Sequence, residues 1–223
     1  MPTAPSSAGD GTLRGMSSDP HQEGDSTEVS GYTNRLVNLE RAGLKRLLPT
    51  QAPYRWNLKR LRLGRVLDVG CGIGRNLLHC ESGSVGVDHN EHSVNIANTR
   101  GLVAYTSEDF LESKDAVPGA FDSLLCAHVL EHVDTGTAAT ILTSYLPFIR
   151  PGGTVVLITP QEAGYRTDAT HVRFVDFKGL RGHAADAGIQ VRRTYSFPFP
   201  RAVGRVFPYN EFVLVADVPG TLR

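Results

Sequence analysis

The sequence predicts an α/β fold built on a doubly wound, mostly parallel sheet, and three observations carry that reading. First, Arg65 to Asn90 (RVLDVGCGIGRNLLHCESGSVGVDHN) begins with a short apolar run, Val66 to Val69, that enters a turn holding Gly70, Gly72 and Gly74. Arg75 to Cys80 then read as a helix, and a second apolar run, Val85 to Val87, stops on Asp88. Strand, glycine turn, helix, strand and terminal acid make up one half of a nucleotide-binding βαβ unit. Second, strand-like runs at Leu102 to Tyr105, Phe121 to Ala127 and Thr154 to Thr159 alternate with helical stretches. Third, the chain closes on two strand-like runs, Gln190 to Phe197 and Glu211 to Val218, that read as a hairpin.

Each part of the βαβ half has a physical task. Glycine permits positive φ and lets backbone approach a ligand closely. A helix start offers unpaired N–H groups to an anion. A carboxylate at the end of the second strand can accept the hydroxyl protons of a ribose. The dinucleotide pattern Gly-x-Gly-x-x-Gly fails, because Arg75 stands at its last position. The chain instead has Asp68-x-Gly70-x-Gly72-x-Gly74, followed by Gly86-Val87-Asp88.

These residues resemble motif I and the ribose-binding acid of the class I S-adenosylmethionine-dependent methyltransferases. Ile149-Arg150-Pro151-Gly152-Gly153, ahead of a strand, resembles another landmark of that family. The resemblance covers about Arg60 to Ala216. It implies a Rossmann-like sheet of seven strands, mostly parallel with an antiparallel last strand, and S-adenosyl-L-methionine as cofactor. By the same resemblance, Gly70, Gly72 and Gly74 seat the methionine moiety, Asp88 the ribose, and Asp109 with Phe110 the adenine. Asp68, Cys71 and His89 stand among the implied cofactor contacts, and Ala127 and His128 line the cofactor and acceptor pocket. The Asn/Asp-Pro-Pro-aromatic stretch of adenine and glutamine N-methyltransferases is absent at Cys126-Ala127-His128-Val129.

The 223 residues divide into three parts. Residues 1–30 are rich in Ser, Gly, Asp and Pro and read as a disordered tail, since they offer little apolar surface to offset ordering entropy. Residues 31–64 read as a helical segment covering the cofactor site, with apolar positions at helical spacing from Leu36 to Leu48. Tyr54 and Trp56 are candidates to pack over the site and Arg55 and Arg60 to meet the methionine carboxylate; a solvated basic helix face is the alternative. Residues 65–218 form the methyltransferase domain.

Lys+Arg and Asp+Glu both total 23, so the formal charge is zero and no basic excess points to nucleic acid. Cys71, Cys80 and Cys126 are odd in number without C-x-x-C spacing, which suits free thiols in a reducing compartment. No apolar run approaches the roughly 20 residues that span a bilayer. A cytoplasmic protein with a small-molecule, sugar or glycolipid acceptor is expected, without nucleic acid.

For a general base the order is His171, then His128, with Asp168 placed to orient His171. An imidazole titrates near neutrality and takes a proton as a hydroxyl attacks. His128-Val129-Leu130-Glu131-His132 also spells the zinc-protease letters H-x-x-E-H. That signature needs a long helix and a third ligand, whereas these letters follow a strand, so no metal is expected. The competing classes are a non-catalytic S-adenosylmethionine-binding protein and a nicotinamide oxidoreductase, the latter disfavoured by the failed glycine pattern.

Overall fold

The computed structural model describes residues 51–220. The expected tail at 1–30 and the helix expected over 35–48 lie outside the described residues. In chain order the elements are α1 (Gln51–Leu61), β1 (Val66–Val69), β2 (Val85–Asp88), α2 (Glu91–Thr99), β3 (Ala104–Thr106), α3 (Ser107–Glu112) and β4 (Phe121–Ala127). There follow α4 (Thr135–Tyr145), β5 (Ile149–Pro160), α5 (Glu162–Tyr165), α6 (Phe177–Asp186), β6 (Gln190–Phe197) and β7 (Glu211–Asp217). The strands form one sheet in the order β3-β2-β1-β4-β5-β7-β6. All neighbours are parallel except β7, which runs antiparallel to both β5 and β6. This is the expected Rossmann-like α/β sheet of seven strands.

Strand alternation explains why both faces are covered. Leu67, Leu124, Leu157 and Leu214 pack into one cluster with Phe110, Leu142 and Leu180. Their neighbours Val66, Leu125, Val156 and Val213 pack into a second cluster with Leu58 of α1 and Phe197. Side chains two apart share a face, so an unbroken apolar run feeds two cores. Capping side chains set the helix starts. Asn90 Oδ1 accepts the His92 and Ser93 N–H groups at 3.0 and 3.3 Å, and Asp134 and Asp176 do the same for α4 and α6.

Two local expectations are corrected. Arg75 to Cys80 do not form an α-helix; a single 3-10 turn, Leu77–His79, follows the glycine loop. The helix-terminus anion site expected there therefore has no α-helix behind it. The Pro151-Gly152-Gly153 segment does not precede the strand but lies inside β5. The register with β4 jumps there, from Phe121↔Ile149 to Ser123↔Thr154, so the chain bulges without leaving the sheet.

Among the described residues, no helix is long and apolar enough to cross a membrane. The Pro- and aromatic-rich loop before β7 is pinned rather than loose. Asn210 is fully buried, and its side-chain N–H groups donate to Gln161 Oε1 (3.1 Å), Ser196 Oγ (2.9 Å) and the Phe199 carbonyl (3.2 Å). Gln161 donates in turn to Ser196 Oγ and to the Glu211 carbonyl, at 2.7 and 2.8 Å. Replacing Asn210 with Ala leaves several of these groups without partners in the interior. Asn210→Ala should lower unfolding free energy by about 2–3 kcal/mol, read from urea denaturation; a loss under about 0.5 kcal/mol would show the network to be dispensable.

Candidate active site

The sheet order reverses between β1 and β4, and ligands of open α/β sheets bind outside the carboxyl ends of strands at such a switch point. The glycine loop leaves β1 there. Gly72 N–H donates to Asp88 Oδ2 at 2.7 Å, and Asn90 N–H donates to Asp88 Oδ1 at 2.9 Å. One carboxylate thus joins the loop to the end of β2. His89 lies outside this junction, its exposed Nδ1 3.5 Å from Asp88 Oδ1.

The three motif glycines are not equivalent. All have positive φ, but a Cβ at Gly70 would overlap the Val129 side chain, and one at Gly74 would overlap Leu102. At Gly72 a Cβ would meet nothing within 4 Å. Of the three, only Gly72 faces open space; at Gly70 and Gly74 protein side chains fill the room a Cβ would need. The Cys71 side chain is buried against Gly86, so it has no open face toward a ligand.

Asp68 is 1% exposed, and its Oδ2 lacks a hydrogen-bond partner. Burial, and then the neighbouring charge of Asp88, push its pKa up to about 7. A buried acceptor without a donor is costly and marks a place for an incoming N–H group.

A cleft opens beside this loop. Tyr54, Asn57 and Leu58 line it from α1, and Asn76 from the glycine loop. Ala127 and His128 at the end of β4, Ile158 of β5 and Glu211 of β7 complete it. Tyr54 donates its hydroxyl proton to the Tyr209 carbonyl, and Tyr195 donates to Asn57 Oδ1 at 2.8 Å, so α1 is tied across the cleft. Trp56 and Arg60 instead form a cation–π pair, 5.2 Å apart, with Trp56 on the exposed side. Glu211 escaped the sequence reading; its signal was an acid opening an otherwise apolar strand.

His128 has φ 59°, an uncommon backbone state for a residue with a Cβ, and it ends β4 without starting a helix. Its Nδ1 lies 3.2 Å from Glu131 Oε1 and its Nε2 lies 2.8 Å from Glu211 Oε1. The ring edge is open, 43% of the side chain being exposed, while both nitrogens face buried carboxylates. Burial alone would lower the imidazole pKa. Hydrogen bonds and charge from Glu131 and Glu211 outweigh it and push the value up to about 10. His128 therefore holds its proton at neutral pH and does not fit the role of general base, a second correction.

Asp168 does not orient His171. Its Oδ1 accepts the Thr170 N–H at 2.9 Å and the Thr170 hydroxyl at 2.7 Å, while His171 Nδ1 donates to the Tyr165 carbonyl at 2.7 Å. His171 stacks on Tyr165 and meets His132 with ring centroids 4.7 Å apart. Asp109 is exposed on the first turn of α3. Phe110 is 0% exposed, packed among Phe121, Tyr145 and Phe148. It is a core side chain, which corrects its expected contact with a cofactor ring.

With this geometry in view, known proteins give a consistent comparison. Residues 38–193 match the profile of a methyltransferase-domain family. The chain belongs to that family. The ubiquinone biosynthesis O-methyltransferase of Dechloromonas aromatica is 32% identical over 103 residues, 43% of this chain and 44% of that protein. The enzyme of the same name from Xanthomonas euvesicatoria pv. vesicatoria is 30% identical over 124 residues, 52% of this chain and 51% of that protein. The chain thus matches about half the length of these relatives.

Solved structures share the fold. A SAM-dependent methyltransferase of Thermotoga maritima, described as a possible histamine N-methyltransferase, superposes with TM-score 0.60 at 16% identity, covering 83% of this chain and 97% of that one. A SAM-dependent methyltransferase of Archaeoglobus fulgidus gives TM-score 0.58 at 20% identity, covering 74% and 92%.

The His128 bridge makes a pH prediction. The folded chain binds this proton more tightly than the unfolded one, whose imidazole titrates near 6.5. The bridge's stabilisation is fully present below about 6.5 and is lost as pH rises toward about 10. Urea midpoints should therefore fall between pH 7 and 10 more steeply in the natural protein than in His128→Gln. Parallel curves would contradict the bridge.

Proposed function

We propose that this chain transfers a methyl group from S-adenosyl-L-methionine to an oxygen of a small hydroxylated molecule, which includes sugars and glycolipid head groups. The observation that carries the reading is the Asp88 junction, which holds the one outward-facing motif glycine, Gly72, at the switch point of a methyltransferase-family sheet. The residues present fit this cofactor. In this reading Asp88 accepts ribose hydroxyl protons, Gly72 allows close backbone approach, and the unpartnered Asp68 oxygen accepts from an ammonium group, which the Gly72–Asp88 bond and the bare Asp68 Oδ2 support. Asp109, His89 and Ala127 complete the proposed set. When bound, the cofactor supplies an electrophilic methyl on a sulfonium.

The protein's share is orientation and exclusion of water. Helix α1 lines one side of the cleft through Tyr54, Asn57 and Leu58, which supports reading it as a segment that covers the cofactor. Attack by a hydroxyl also requires that its proton be taken or its oxygen be activated. His128 is committed to its two carboxylates, so the imidazoles suited to that step are His171 and its neighbour His132. An oxygen acceptor agrees with the curated relatives, which are named for O-methylation in ubiquinone biosynthesis.

The test is transfer of isotope-labelled methyl from S-adenosyl-L-methionine into cell extracts split into lipid, polar small-molecule, glycan and protein fractions. Label should enter a small-molecule, glycan or lipid fraction. Asp88→Ala should bind cofactor about 10- to 100-fold more weakly, the worth of hydrogen bonds to a charged group. Cofactor binding without transfer to any fraction would favour a binding protein that acts by interaction, and label confined to protein would overturn the acceptor class.

A further inference from the structure

Behind the His128 bridge lies a second cluster with a bare carboxylate oxygen. Glu131 is 0% exposed, and its Oε1 serves His128. Its Oε2 is buried with no hydrogen-bond partner. A carboxylate oxygen left bare in the interior is costly, and native structures retain such groups where a proton, water or ion answers them. Beside it stand His132 and His171. One ligand atom from each of the three side chains lies within 4.8 Å of the others.

The two imidazoles are set in matching tautomers. His171 Nδ1 lies 2.7 Å from the Tyr165 carbonyl, and His132 Nδ1 lies 3.3 Å from the Thr170 carbonyl. A carbonyl only accepts, so each Nδ1 carries a proton, and in the neutral ring Nε2 carries the lone pair. The Thr170 hydroxyl donates to Asp168, which leaves it to accept from His132 at 3.2 Å and holds the same tautomer. Backbone carbonyls orient metal-bound imidazoles in this way. The turn carrying Glu131 and the chain after His171 are also joined by backbone, as Val172 and Arg173 N–H groups donate to the Glu131 carbonyl at 2.9 and 3.1 Å.

We propose that Glu131, His132 and His171 form a binding site for one first-row divalent cation of the zinc class. Two imidazoles and one carboxylate suit such borderline ions better than magnesium or calcium, which prefer oxygen throughout. Ligand distances of about 2.0–2.2 Å require the side chains to close by roughly an ångström. His128 is not a ligand, because both its nitrogens are engaged. The site therefore differs from the helical H-x-x-E-H pairing. Three protein ligands leave positions for water or another oxygen. His132 and His171 are only half-buried, so those positions are reachable from solvent. Its use in the reaction rests on the proposed O-methylation: the ion would hold the acceptor's hydroxyl oxygen and ease loss of its proton to solvent water as that oxygen takes the methyl and the sulfonium departs as a thioether, His171 and His132 then acting on the hydroxyl through the ion.

The experiment is calorimetric titration of zinc chloride into the untagged, chelator-stripped full chain, with no methyl donor or acceptor present. Its outcome is thus independent of whether the chain transfers methyl. One tight equivalent per chain is expected, and His171→Ala and Glu131→Gln should each weaken it by at least about 100-fold, more than loss of an outer partner of a metal site. Should Glu131→Gln fail to fold, His132→Ala serves in its place, since that side chain is half-exposed. Absence of saturable binding, or unchanged affinity in His171→Ala, would overturn the site.

Discussion

The carboxyl edge of this sheet depends on one carboxylate. Asp88 ends β2 and receives the Gly72 and Asn90 N–H groups, one on each oxygen. It thereby fixes the loop after β1 and, through Asn90, the cap of α2. Gly72 has a positive φ and open space where a Cβ would stand, so the loop needs an external tether to hold its shape. Asp88 provides it, beside the point where the strand order reverses between β1 and β4. Burial first, and then the charge of this carboxylate, raise the proton affinity of Asp68 on the neighbouring strand β1. Two acids of one motif are in this way electrically coupled, one tied to the backbone and one held bare.

A second tether governs the far side of the cleft. His128 joins Glu131, in the turn after β4, to Glu211, at the start of β7. The pairing spans 83 residues of sequence and crosses β5. It explains the positive φ of His128, which turns the ring back toward β7 instead of letting a helix begin. It also separates two histidines of similar appearance. His128 is held between two carboxylates, whereas His171 and His132 sit together at a half-buried edge beside the bare Oε2 of Glu131.

Much of this was legible in the sequence because apolar run length and punctuation are local signals. The bounds of β1, β4 and β6 follow from their apolar or β-branched runs, and the glycine-to-acid spacing located the switch point. Residues 75–80 misled because their composition suits a helix, while the glycine loop leaves room for only one 3-10 turn. Pro151 and the two glycines after it looked like a stop, yet a bulge absorbs them within β5. Phe110 followed the acid it was expected to serve, but α3 turns it into the aromatic core. The Gln161–Asn210 and His128–Glu211 pairs join positions 49 and 83 residues apart, which no local pattern reports.

The most direct test of the central claim is calorimetric titration of S-adenosyl-L-methionine into the natural chain and into Gly72→Val. The natural protein should bind one equivalent. The variant should bind at least about tenfold more weakly, since the added side chain occupies the space left for the ligand and also strains a backbone held at φ 51°. Failure of the natural chain to bind, or equal binding by the variant, would contradict the placement of the cofactor at the Asp88 junction.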